Sequence, residues 1–223
     1  YDGESLYLAH DLPENSATCV KFETMLSLAL EHPSVFINCD VKTEGLEELV
    51  IAAAKRYGME HRILFTGECN KRYDDIKGLG ADMWHSLWRC EDNEGAIEEA
   101  VAHCLEVGCE YINLDRRMLS DEMAEYIHSK GLKISVWTVD CEEEIRRMLS
   151  LRVENITTRQ PRLALGLRDE IQGTPRDNGL LPDGSIEEMI RAAGRIMTEA
   201  DRAGIKVDQK AGAANFVTEY DVK

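Results

Sequence analysis

"LKISVWTVDCEEEIRRMLSL", residues 132–151, holds one complete unit of the fold: a short apolar run over 132–139, then an amphipathic stretch over 140–151. The run has the length of a strand, and the stretch behind it has the composition of a helix lying on a sheet. The same unit recurs along the chain. Apolar runs "SVFINCDVK" (34–42), "RILFTG" (62–67), "ADMWHSL" (81–87), "YINLD" (111–115) and "VENITT" (153–158) bring the total to six. Between them lie "TEGLEELVIAAAKRYG" (43–58), "DNEGAIEEAVAHCLEVG" (92–108) and "LSDEMAEYIHSKG" (119–131).

In the first of these helical stretches Leu46, Leu49, Val50 and Ala53 recur at one-face spacing, which predicts the buried stripe. Helix ends are expected at Gly58, Gly108 and Gly131, and Ser120 is placed as an N-cap with Met123 and Tyr126 turned inward. Strands that read as apolar rather than alternating argue for a parallel sheet covered by helices. No Gly-x-Gly-x-x-Gly follows a strand, which lowers a dinucleotide-binding sheet and favours a closed (β/α)8 barrel. A barrel needs eight strands, so the expected fold is an α/β, incomplete (β/α)8 TIM barrel lacking its first two.

Upstream, "DGESLYLAHDLP" predicts a turn at Asp2-Gly3 and a short strand with Leu6 and Leu8 on one face, ending at His10-Asp11. "KFETMLSLALEH" (21–32) predicts a helix with Phe22, Met25, Leu26 and Ala29 inward. Past residue 165, glycines and prolines between 169 and 184 read as a linker. A further helix then begins at Ser185 and Glu188 in capping-box spacing, with Ile186, Met189, Ile190, Ala193, Ile196, Met197 and Ala200 on one face, and ends at Gly204.

The net charge of -16 disfavours nonspecific binding to nucleic acid or anionic membrane. No apolar run approaches the roughly 18 residues of a membrane span, and a cytoplasmic location is expected. Seven cysteines without a Cys-x-x-Cys pair suggest neither a disulfide framework nor a zinc knuckle. The chain opens at Tyr1 and stops at Lys223 inside a patterned stretch, so a piece of a longer protein is expected.

Barrel chemistry sits at the C-terminal ends of strands. The polar residues there are His10, Asp40 with Lys42, His85, Asp115, and Trp137 with Asp140. Asp40 and Lys42 share a face by parity, and spacing alone leaves open a strand-end salt bridge and a corner for a metal and a phosphate. His10 beside Asp11 is a candidate general acid or base. His85 reads as a core or rim histidine, and Trp137 as a pocket wall or a core residue.

"DGESLYLAHD", "INCDVK", "GLKISVWTVDCEEEIRRML" and "VENITTRQP", in that order over about residues 1–165, resemble the glycerophosphodiester phosphodiesterase family. The resemblance implies a (β/α)8 barrel that hydrolyses glycerophosphodiesters to an alcohol and glycerol phosphate, with two acid–base histidines and a divalent cation, Mg2+ or Ca2+. It places His10 as the catalytic histidine of the His-Asp motif, Asp40 as a metal ligand where the family has glutamate, and Lys42 and Trp137 as substrate-binding residues. Aspartate is one methylene shorter than glutamate, so a water-bridged or displaced ion is expected. The family's His-Arg-Gly and Glu-x-Asp motifs are expected to precede Tyr1, since neither occurs within residues 1–165, and residues 1–223 alone are expected to be inactive.

"KAGAANFVTEYDVK" (210–223), behind the helix from Ser185, resembles the beginning of the inositol monophosphatase family. The domains expected are a truncated barrel over 1–168, a linker over 169–184 and the start of a phosphatase domain over 185–223. Two other functions stay open. One is an inositol or sugar phosphate monoesterase activity of the C-terminal part, and the other a degenerate, non-catalytic barrel that binds phosphate. The expected partner is a small phosphodiester substrate.

Overall fold

Residues 142–150 show how the sequence makes its elements. Glu142, Glu143 and Glu144 occupy the first turn of a helix, where carboxylates meet the positive end of the backbone dipole, and Ile145, Met148 and Leu149 bury one face. In the computed structural model, residues 1–9, 19–43, 45–173, 207–209 and 216–218 are described.

The elements, in chain order, are β1 (Tyr7–Leu8), β2 (Val20–Lys21), α1 (Phe22–Leu30), β3 (Ile37–Val41), α2 (Glu47–Arg56), β4 (Ile63–Gly67), α3 (Tyr73–Gly78), β5 (Asp82–Met83) and β6 (His85–Leu87). They continue with α4 (Asn93–Val107), β7 (Tyr111–Asp115), α5 (Asp121–Ser129), β8 (Lys133–Trp137), α6 (Glu142–Ser150), β9 (Asn155–Ile156), α7 (Pro161–Gln172), β10 (Val207–Gln209) and β11 (Phe216–Thr218). The chain divides into two compact units, one drawn from 1–37, 42–63 and 179–223, the other from 38–41 and 64–178.

In the first unit, β1 pairs antiparallel with β2, so the short strand expected near Leu6 is half of a ribbon rather than a strand of a parallel sheet. Its two leucines part company: Leu6 is buried and Leu8 is exposed. Phe22, Leu26 and Ala29 bury one face of α1, while Met25 is only half-buried. The Arg62 guanidinium, itself buried, donates from Nη2 to Ala29 O at 2.9 Å and His32 O at 2.6 Å, and from Nε to Val35 O at 2.6 Å. Arg62 thus ties the end of α1 to the turn that follows it, donating to carbonyls of both.

Half of the expected α2 stripe holds: Val50 and Ala53 are buried, together with Glu47, Ile51 and Ala54, whereas Leu49 is exposed and Leu46 is half-buried. Glu47 tolerates burial because Gly45 N donates to its Oε2 at 2.9 Å. β10 and β11 form a separate antiparallel pair.

In the second unit, the six expected strands are present as two sheets, β3-β4-β5 and β6-β7-β8-β9. β4 runs parallel to β5, and β6 through β9 run parallel to one another. The run 81–87 is split into β5 and β6 at Trp84, whose N donates to Phe65 O at 3.0 Å. Gly67 N donates to Ser86 Oγ at 2.9 Å, which ties the sheets together.

The strands do alternate. One face carries Ile112, Leu114, Ile134 and Val136, all fully buried, with α4 and α5 packed near by. The other carries polar residues in three successive levels: Trp84, Tyr111 and Lys133; then Ser86, Asn113, Ser135 and Asn155; then Asp115 and Trp137. Reading these strands as uniformly apolar therefore missed an inner polar face, which is tolerated because its groups satisfy one another.

Of the expected caps, Ser120 Oγ accepts from Met123 N at 3.2 Å, but Ala124 and Ile127 are the buried residues of α5, with Met123 and Tyr126 half-buried. Gly108 ends α4 at φ 78°, a left-handed conformation that glycine adopts without strain. α7 continues to Gln172, so residues 169–172 of the expected linker are helical. The rest of the linker and the helix expected from Ser185 to Gly204 lie outside the described residues. All seven cysteines are free thiols. No helix among the described residues is long and apolar enough to cross a membrane.

Candidate functional site

Two of the sequence-predicted site residues stand at strand ends of the second unit. Asp40 is the last-but-one residue of β3 and is exposed; Trp137 is the last residue of β8 and is half-buried. Lys42 belongs to the first unit, is exposed, and sits one residue beyond β3. His10 lies outside the described residues, as does Asp11.

Gly67, at the end of β4, brings the backbone close to Asp40. It has φ 92°, and a β-carbon added there would fall 2.5 Å from Val41 O and into contact with Asp40 Oδ1. Only glycine allows both this conformation and this approach. The one sequence signal for it is a glycine closing the run "RILFTG".

Beneath the rim, Ser86, Asn113, Ser135 and Asn155 are register neighbours and form a continuous ladder. Asn113 Nδ2 donates to Ser86 Oγ at 3.3 Å, Ser135 Oγ donates to Asn113 Oδ1 at 2.9 Å, and Asn155 Nδ2 donates to Ser135 Oγ at 2.8 Å. Asn70 extends the network, donating from Nδ2 to Ser86 O at 2.7 Å and accepting from Ser86 N at 2.8 Å. On the neighbouring sheet Thr66 Oγ1 donates to Asn38 Oδ1 at 2.9 Å. The floor under the strand ends is thus polar, satisfied and rigid. Below it Trp84 stacks on Tyr111 with ring centroids 4.4 Å apart, and Lys133 Nζ lies 5.2 Å from the Tyr111 ring centre.

At the rim, Asp115 is buried and is the register partner of Trp137. Arg117 donates to it from backbone N at 2.9 Å, from Nε at 2.9 Å to Oδ1 and 3.1 Å to Oδ2, and from Nη2. This hydrogen bonding holds the Asp115 carboxyl below the usual carboxylate range against the opposing effect of burial. Asp140, three residues past β8, accepts from Arg159 N at 2.8 Å, Arg159 Nε at 2.7 Å and Thr158 Oγ1 at 3.3 Å. Burial pushes its carboxyl up, but the bonds and charge of Arg159 together with the Thr158 bond outweigh that and hold it below the usual range.

His85 does not join the rim. It shares the helix-facing side with Ile112, its ring centre lies 5.2 Å from that of His103, and burial followed by the repulsion of His103 lowers its pKa to about 4. It is half-buried on that side and held neutral.

No family model matches the chain. The chain is 24% identical over 137 residues to a glycerophosphodiester phosphodiesterase from Caldanaerobacter subterraneus subsp. tengcongensis, a match covering 59% of this chain and 54% of that protein. A structure from Agrobacterium tumefaciens assigned to the glycerophosphoryl diester phosphodiesterases superposes with a TM-score of 0.63 at 20% identity, over 70% of this chain and 66% of the other. An Oleispira antarctica phosphodiesterase, solved with the product sn-glycerol-3-phosphate, gives a TM-score of 0.54 at 15% identity, over 68% of this chain and 62% of that one. Sequence and fold are similar to those of glycerophosphodiester phosphodiesterases. The chain spans about half the length of the curated relative it matches. These likenesses give the inositol monophosphatase resemblance of the C-terminal residues no support.

The same family would bring a divalent cation. Among the described residues no group of three or more His, Cys, Asp and Glu side chains is placed to hold a metal ion. Asp40 offers one carboxylate, so the described residues do not by themselves fit the ion.

Proposed function

We propose that the protein carrying this chain hydrolyses glycerophosphodiesters to an alcohol and glycerol phosphate. The observation that carries the reading is the placement of Asp40 and Trp137 at strand ends of parallel-stranded sheets whose fold is similar to that of phosphodiesterases. The fold is taken as part of a (β/α)8 barrel. His10 is assigned proton transfer between nucleophile and leaving group. Lys42 is assigned to offset phosphate charge, and Trp137 to wall the substrate. A cytoplasmic location belongs to the same proposal.

A divalent cation is proposed with Asp40 as one ligand, and no step is assigned to it. For residues 1–223 by themselves the proposal is binding without turnover, since the His-Arg-Gly histidine and the Glu-x-Asp pair of the resembled family have no counterpart within residues 1–165. The test is release of glycerol phosphate from glycerophosphoglycerol by the protein carrying this chain, with and without chelator, as wild type and as His10→Ala. Release is expected to fall at least about 100-fold in the variant, the scale of acid–base assistance. Release that survives both chelation and His10→Ala overturns the reading.

A second reading is a non-catalytic, phosphate-binding barrel, motivated by Asp40 standing where the resembled family has glutamate. Binding of glycerophosphodiesters without release of product in any divalent cation would select it. A monoesterase activity of residues 185–223 rests on sequence resemblance alone.

A further inference from the structure

We propose that Arg117, seated on Asp115 at the rim beside Trp137, is a clamp for a phosphate oxyanion, a role that rests on the glycerophosphodiester reading above and extends it. Asp115 ends β7 opposite Trp137 in the parallel ladder. Its side chain is 4% exposed, whereas that of Arg117 is 54% exposed. The carboxylate engages the Nε and Nη2 edge of the guanidinium and the backbone N of the same residue. Those bonds leave the Nη1 amino group of Arg117 unused by Asp115.

For a carboxylate sunk this deeply the desolvation cost offsets much of the attraction to its partner, so stabilisation alone gives a poor account of the pair. Orientation gives a better one. An arginine held through Nε, Nη2 and its own backbone N has already lost much of the side-chain freedom that binding would otherwise cost. The arrangement is repeated on the other side of Trp137, where Asp140 seats Arg159 through backbone N, Nε and Nη2. Two carboxylate-seated forks thus flank the tryptophan assigned to the substrate.

The chemistry of the fork selects the ligand. With the Nε and Nη2 edge taken by Asp115, the planar pair of N–H donors that faces away from it is the Nη1–Nη2 edge, which matches the paired oxygens of a phosphate. A chain of net charge -16 repels anions at long range, so an anionic ligand needs donors at close quarters. Each Asp–Arg pair is neutral as a whole, so its pull is short-ranged and directional, acting on a phosphate already in the mouth. That phosphate is either the one shared by all glycerophosphodiesters or a second one on the alcohol to be released.

The test is calorimetric titration of residues 1–223 with sn-glycerol 3-phosphate, glycerophosphoglycerol and a glycerophosphodiester whose alcohol carries a further phosphate, with glycerol as control. Arg117→Gln is expected to weaken phosphate ligands about 10-fold or more, and Arg117→Lys to restore only part of the loss, because lysine keeps the charge without the fork. Equal weakening of all three assigns the clamp to the shared phosphate; weakening confined to the third assigns it to the second phosphate. Since Arg117→Gln strips Asp115 of its guanidinium, circular dichroism checks its fold, and Arg117→Lys carries the comparison if it unfolds.

Folded variants that bind all three ligands as wild type does overturn the clamp, as does a wild type that binds none. Arg117-dependent phosphate binding by residues 1–223, with no glycerol phosphate released by the protein carrying this chain, leaves the clamp standing and removes the phosphodiesterase reading.

Discussion

Ser135 Oγ donates to Asn113 Oδ1 at 2.9 Å, and both side chains are buried on the polar face of the sheet. Ser135 also accepts from Asn155 at 2.8 Å, so one hydroxyl joins two strands to its own. Ser135→Ala removes both bonds and strands an amide on each side. A loss of about 1–3 kcal/mol in unfolding free energy is expected, the cost of leaving a buried polar group unpaired. Urea denaturation measures it, and an unchanged midpoint would show that the ladder does not hold the sheet.

Gly67→Ala is expected to be worse than an ordinary surface change. The new methyl group meets Val41 O and Asp40 Oδ1 in a backbone conformation that disfavours any side chain. A destabilisation above about 1 kcal/mol should appear in thermal unfolding. Nuclear magnetic resonance shifts of Asp40 and Val41 should move more than those of the β8–β9 pair. A variant with wild-type melting and unmoved shifts would mean that Gly67 does not position Asp40.

Asp115 makes stability depend on acid. Its carboxyl titrates lower in the folded chain than in the unfolded one, where the value is about 3.9. The contribution is therefore complete above about pH 3.9 and is lost as pH falls through the folded value. Asp115→Asn should unfold at lower urea than wild type at pH 7, and the gap should narrow in acid. A gap that stays constant to pH 2 would contradict the pairing with Arg117.

His85 acts in a different window. It titrates at about 4 when folded and near ~6.5 when unfolded, so between these values only the unfolded chain takes up the proton. Stability is complete above about pH 6.5 and falls toward pH 4, by up to about 1.4 kcal/mol per pH unit. His85→Gln should flatten this slope in denaturation curves taken from pH 7 to pH 4. An equally steep slope in the variant would assign the proton uptake to another group.

Much of the architecture was legible because it rests on local rules. The six strands fell where apolar runs of strand length predicted them, and Ser120 and Gly108 capped helices as their chemistry demands. Helix faces were less legible. In α2 a buried Glu47 displaced the expected Leu49, since a carboxylate can be buried once a backbone amide meets it. Asp115 could be suspected from its place at a strand exit, but nothing in "NLDRR" said that Arg117 would fold back onto it.

The sequence by itself determined the strand–helix rhythm, the strand ends at which Asp40 and Trp137 stand, and the resemblance that gives them roles. Tertiary structure alone decided that Ser86, Asn113, Ser135 and Asn155 meet in register, that Gly67 presses on Asp40, and that Asp115 seats an arginine beside Trp137. The reason is physical. Periodicity and capping act within a few residues of chain, whereas a polar contact between strands depends on register and twist, which are settled only when the sheet assembles.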